Sequence, residues 1–210
     1  VARSVEARPA AAPMSTRQAA RQVRILRAAS ELGAREGLAS VQMHDVAKEA
    51  GVAIATLYRY FPSKPYLFLS VLEWHIEQFL GDRDRDRDGD REPVTARPTD
   101  PATEVADILV ALTGKLLGSR LLASAVAVSS FTEYATGVPA RIDIVERALG
   151  QRLLRLLARR GGADAATCRS RTRLLVYGWW GLFVAVLTEE ISPEQGAADL
   201  RLAARLIVTG

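Results

Sequence analysis

Apolar residues recur at helical spacing along nearly all of the chain, and glycine and proline separate the periodic stretches. Val23, Ile25, Leu26, Ala29 and Leu32 predict a first helix over residues 16–36, with Gly33 and Gly37 near its end. A second, short helix is predicted over 41–50, with Ser40 as its N-cap and Gly51 as its stop. A third spans 53–61 and is halted by Pro62. The fourth begins after Ser63, tolerates Pro65 in its first turn and reaches Leu80.

The run GDRDRDRDGDREPVTARPTDP, residues 81–101, breaks the apolar period. As a strand it would put all aspartates on one face. As a helix it would set like charges at i,i+4, such as Asp82 and Asp86, against favourable i,i+3 pairs. Its three prolines and two glycines favour a solvated loop. Beyond it, Asp100-Pro101 reads as N-cap and N1, and Val105, Ile108, Leu109, Leu112 and Leu116 form a stripe. A helix over 120–134 follows. Ile142, Val145, Leu149, Leu153 and Leu156 predict a long helix that ends in Arg159-Arg160-Gly161-Gly162, cations followed by glycine. Within a helix over 165–191, LLVYGWWGLFVAVL is apolar all round and calls for burial on most sides. Ser192-Pro193-Glu194-Gln195 reads as a capping box with proline at N1 and opens the last helix. The expectation is an all-α fold of about nine helices.

Composition changes this picture little. The 210 residues are 49% hydrophobic and 25% charged, ordinary values for a globular protein with a sizeable core. The net charge is +4, and residues 1–30 carry six arginines against one glutamate, enough to attract a polyanion. Arginine far outnumbers lysine and alanine is abundant, a bias that fits a GC-rich genome. Residues 1–15 read as a disordered basic arm and a poor signal peptide. The 14-residue apolar run at 174–187 is too short to span a bilayer, so no membrane partner is expected. One cysteine, Cys168, forms no disulfide within the chain and fits a reducing cytoplasm. His44 and His75 are too far apart in sequence to make a metal pair, so no metal and no cofactor is expected. No phosphate loop or nucleophile–base pair marks an enzyme.

Candidate chemistry concentrates in GVAIATLYRYFPSK, residues 51–64. Two short helices joined at Gly51, with the small Ala47 four residues before it, suggest a helix-turn-helix. On a wheel at about 100° per residue, Ile54, Leu57 and Phe61 face inward and Ala55, Thr56, Arg59 and Tyr60 face outward, with Tyr58 at the boundary. That outward set suits a major groove. Arginine forks onto guanine, threonine and alanine meet a thymine methyl, and phenols reach phosphates. Lys64 falls in the first turn of the next helix, where its charge and the free N–H groups favour a phosphate. A three-helix core with an incidental polar face remains the alternative.

VQMHDVAKEAGVAIATLYRYFPSKPYLFLSVL, residues 41–72, resembles the DNA-binding domain of the tetracycline-repressor (TetR) family. The blocks D-V-A-K-E-A-G-V, T-L-Y-R-Y-F and P-S-K match in order and without a gap. Ala53 departs from the pattern, where many members have a serine or threonine N-cap. The resemblance implies DNA-binding over 16–62, a connecting helix at 63–80 and a ligand-binding, dimerising domain at 102–210. It implies that Gln42 and His44 lie near DNA, that Ala55, Thr56 and Arg59 face bases, and that Tyr58, Tyr60 and Lys64 hold phosphates. His44 alone reads equally well as a solvated surface histidine. The implied protein is a homodimeric cytoplasmic repressor on an inverted-repeat, double-stranded operator, released by a small effector. An activator or a ligand-independent regulator is the alternative. Leu112, Phe131, Trp179, Trp180 and Phe183 are candidate effector-pocket residues, though for Trp179, Trp180 and Phe183 a place in the core or dimer interface is the favoured reading. Few charges fall on these helices, so a hydrophobic effector is expected. Similarity to actinobacterial repressors of steroid and lipid catabolism points to steroid or acyl thioesters.

Overall fold

The computed structural model describes residues 15–89, 100–135 and 144–209, and among them it is all-helical. The basic arm through residue 14 and the second half of the charged run lie outside the described residues, as does Ile142 of the predicted stripe. Helix α1 (Thr16–Ser40) opens on a capping box: Ser15 Oγ accepts from Gln18 N, and the Gln18 side chain accepts from Ser15 N. It breaks at Gly37, whose φ of 72° and ψ of 168° end the regular helix one residue past the predicted end. Helix α2 (Met43–Glu49) has Gln42, not Ser40, at its N-cap, because the chain leaves α1 in an extended conformation at Val41. Helix α3 (Ile54–Tyr60) is two turns long.

Helix α4 (Lys64–Gly89) runs nine residues past the predicted end, through DRDRDRDG. The expectation of a loop from residue 81 is corrected. Asp82 pairs with Arg85 one turn on, and the acidic side also meets cations of other helices. Asp84 bonds Arg152 at 3.0 Å and Asp82 lies 4.0 Å from Lys115. Tertiary partners thus offset the like-charge i,i+4 contacts that the local pattern weighs against a helix.

Helix α5 (Pro101–Leu117) begins after Asp100 as predicted, and the chain bends by 109° at Gly118-Ser119 into α6 (Arg120–Ala135). The bend brings α6 across α1 and α4. The predicted long helix is instead a 3-10 turn (Ile144–Glu146) and α7 (Ala148–Arg160), split at Arg147. Helices α8 (Ala165–Leu187) and α9 (Pro193–Thr209) pack on each other, and α9 also covers α5. Ser192 Oγ accepts from Gln195 N, but the Gln195 amide turns to Asp199, so only half the box forms.

One apolar core joins the helix-turn-helix to the rest through α1, α4 and α6. Gly33 permits this junction, since a Cβ there would sit 2.6 Å from Phe68 Cε1 and 3.1 Å from Leu122 Cδ1. The apolar α8 is not buried on most sides. Leu174 and Tyr177 are each 59% exposed beside open Gly178 and Gly181, and Leu202 and Leu206 extend the exposed apolar surface on α9. No single helix among the described residues is long and apolar enough to cross a membrane.

Candidate nucleic-acid interface and effector cavity

The α2–α3 turn is built as the sequence predicts. Gly51 has φ 63°, with nothing near its missing side chain, and Val52 N donates to Ala47 O at 3.0 Å. Leu57 and Phe61 are fully buried and seat α3, while Val52 fills in beside them. Ile54, expected inward, is 39% exposed. It begins the helix at the rim, while Val52 in the turn packs against the core. No side chain caps α3 at Ala53.

Gln42, His44, Ala55, Tyr58 and Arg59 are exposed together, and Thr56 is half-buried. The Arg59 guanidinium lies 5.6 Å from the Tyr60 ring centroid, which steadies it without blocking its donors. Tyr60 differs from expectation. It is half-buried against Phe61, and its hydroxyl is enclosed with no partner, so the phenol does not present itself to a phosphate in this state. Lys64 has a structural task as well. Its ammonium donates to Leu38 O at 2.8 Å and Val41 O at 3.0 Å, tying the first turn of α4 to the carbonyls that leave α1. Arg35 spans α1 and α2 through Glu49, which raises its pKa together with Glu36. The exposed Ile54 adds an apolar group suited to a thymine methyl, which the wheel alone had turned inward.

A second feature lies lower on α4. Leu69, Leu72, Glu73 and Ile76 wall a cavity of about 70 Å³ whose far side is α8, with Val176, Tyr177, Trp179 and Trp180. Ser130, Arg147 and Leu149 complete it. In the measure in which one water needs roughly 10–15 Å³, this is room for about five waters, so a large effector must enlarge it. Of the candidate pocket residues, Trp179 and Trp180 line this cavity. Leu112 and Phe183 do not line the cavity, being fully enclosed in packing, and Phe131 is 57% exposed on the outer face of α6. Trp179 is held by its indole N–H, which donates to Thr113 Oγ1 at 3.0 Å, and Trp180 stacks on Phe183. The sequence pattern missed the one ion pair of this wall, Arg147 with Glu73, at 2.5 Å. Glu73 ends the apolar run LFLSVL of α4, and that change from apolar to acidic is the readable signal. Burial raises the pKa of Glu77, one turn further on, and the charge of Glu73 adds to the rise.

A two-turn helix seated by two buried side chains, with a polar and cationic outer face, defines a helix-turn-helix DNA-binding protein. The family of tetR bacterial regulatory proteins matches residues 25–71. Over 71 residues the chain is 44% identical to the HTH-type transcriptional repressor KstR of Mycolicibacterium smegmatis, a match spanning 34% of this chain and only 35% of that protein. It is 26% identical to KstR of Mycobacterium tuberculosis over 92% of this chain and 83% of that protein. A crystal structure of a TetR transcriptional regulator from Rhodococcus sp. RHA1 superposes with a TM-score of 0.71 at 35% identity, over 90% of this chain and 97% of that one. The chain belongs to the TetR family, a family of DNA-binding regulators and not of enzymes.

Proposed function

We propose that this protein is a transcriptional repressor that binds an inverted-repeat operator as a homodimer and leaves it when a hydrophobic effector enters the α4–α8 cavity. The observation that carries the reading is the double use of α4. Its first turn anchors the helix-turn-helix through Lys64, and its second to fourth turns wall the cavity. A molecule that enlarges the cavity presses on α4, and α4 is tied to the helix-turn-helix through Lys64. The exposed Leu174, Tyr177, Leu202 and Leu206 support pairing of α8 and α9 with a second copy in a four-helix interface. Such a dimer would set two recognition helices about 34–36 Å apart, in successive major grooves. The effector must bind the two arrangements with unequal affinity for any release to follow. Gln42, His44, Ala55, Thr56, Tyr58 and Arg59 supply the DNA-facing surface in this reading, with Tyr60 and Lys64 serving seat and anchor as well. The resemblance of residues 41–72 to actinobacterial repressors of steroid and lipid catabolism favours steroid or acyl thioesters as effectors.

A mobility-shift titration on the DNA upstream of its own gene tests the reading. A discrete shifted complex, competed by an unlabelled inverted repeat but not by scrambled DNA, is expected. Binding that does not discriminate between them refutes it. Lipid-treated reporter strains then separate a repressor from an activator or a ligand-independent regulator.

A further inference from the structure

We propose that the Glu73–Arg147 ion pair is the polar end of the α4–α8 cavity, and that the cavity takes an apolar molecule carrying a terminal oxyanion, which binds Arg147 in competition with Glu73. This rests on the reading of the cavity as an effector site. The rest of the wall is chiefly aliphatic and aromatic, with Leu72, Ile76, Val176 and Trp179 around the pair. Both charged side chains are largely withdrawn from water, at 20% and 24% exposure. Arg147 Nη1 donates to Glu73 Oε1, yet Arg147 Nε is buried with no partner. A guanidinium offers a fork of donors that fits carboxylate and phosphate oxygens two at a time. An oxyanion reaching the Nε edge satisfies that orphaned donor and shares the cation now held by Glu73.

The same geometry supplies a route to α4. Glu73 and Glu77 lie one turn apart on that helix, and burial first, then the charge of Glu73, disfavours the ionised form of Glu77. Arg147, from the α7 side, is the cation that meets Glu73. An anion that draws on Arg147 weakens that contact and disfavours the present seat of α4, a coupling between the ligand and the helix-turn-helix.

The test uses the full chain and tryptophan fluorescence, since Trp179 and Trp180 line the cavity. Decanoate, decyl phosphate and 1-decanol are titrated in parallel. Both anions are expected to bind at least about tenfold more tightly than the alcohol, and the tighter of the two identifies the head group. Arg147→Gln should erase the preference of the anions over decanol. Glu73→Gln, which removes the competing carboxylate and keeps its shape, should tighten decanoate binding, and it carries the test if the arginine variant does not fold. Decanol binding as tightly as the anions, binding of none of the three, or unchanged decanoate affinity in Glu73→Gln overturns the proposal. Operator binding by the unliganded protein is scored separately. A protein that shifts its operator but shows no oxyanion preference sinks this inference alone. One that shows the preference but binds no operator sinks the regulator reading alone.

Discussion

Lys64→Met separates two tasks that a lysine at the start of α4 can perform. Methionine keeps most of the apolar stem and its packing while removing the ammonium. Two hydrogen bonds vanish, to Leu38 O at 2.8 Å and Val41 O at 3.0 Å. A hydrogen bond to a charged group contributes about 1.5–3 kcal/mol, but the site is half-exposed, so water recovers part of the loss. The two bonds share one donor and are not additive. A net cost of about 2–3 kcal/mol follows. For a chain of this size each kcal/mol lowers Tm by about 2–4 °C, so the variant should melt roughly 4–12 °C below the wild type. Thermal melting by circular dichroism at fixed salt reads this directly. The ammonium also keeps one unused hydrogen, so the salt dependence of operator binding is measured on the same variant. Loss of one phosphate contact would reduce the slope of log K against log salt by about 0.9. A Tm within about 1 °C of wild type, far below the expected shift, with that reduction in slope, would refute the anchoring argument and leave the phosphate role alone.

Three further outcomes follow from named contacts. Gly33→Ala gains about 1 kcal/mol of helix propensity. It forces a methyl to 2.6 Å from the fully buried Phe68, at an overpacking cost of about 1–3 kcal/mol, so urea melts should show a net loss of up to about 2 kcal/mol. His75, whose Nε2 lies 2.7 Å from Ser30 Oγ, has its pKa lowered from 6.5 by burial and then by Lys115. The unfolded chain therefore binds a proton more readily, so stability is complete above the unfolded pKa and declines as pH falls below about 6.5 toward the folded value. His75→Gln should flatten that part of the stability–pH curve, and an unchanged slope would reject the assignment. Arg59→Ala should weaken specific operator binding by roughly 1–3 kcal/mol while scrambled DNA binds nearly as before; equal losses on both would show a phosphate contact in place of a base contact.

Much of the molecule was legible from local pattern. The α2–α3 turn rested on Ala47, Gly51 and Leu57, where sterics and burial of a few adjacent residues leave little choice. The stripe and N-terminus of α5 followed from Asp100-Pro101 and helical period in the same way. Placement of Ile54 and Tyr60 was not legible, because a wheel assigns a face but not how far along a two-turn helix the neighbouring core extends. The continuation of α4 to Gly89 was hidden for a related reason: the cations that offset its aspartates lie on α5 and α7, far away in sequence.

The helical class, the recognition motif and the kind of chemistry that α3 exposes depend on spacing within a few turns, and so were readable along the chain. Tertiary structure decided which of the candidate pocket residues meet a cavity, that Lys64 anchors α4 to α1, and that Glu73 finds Arg147 across 74 positions of chain. Those are contacts between distant segments. Their energies depend on distance, burial and the partner's charge, none of which one-dimensional periodicity carries.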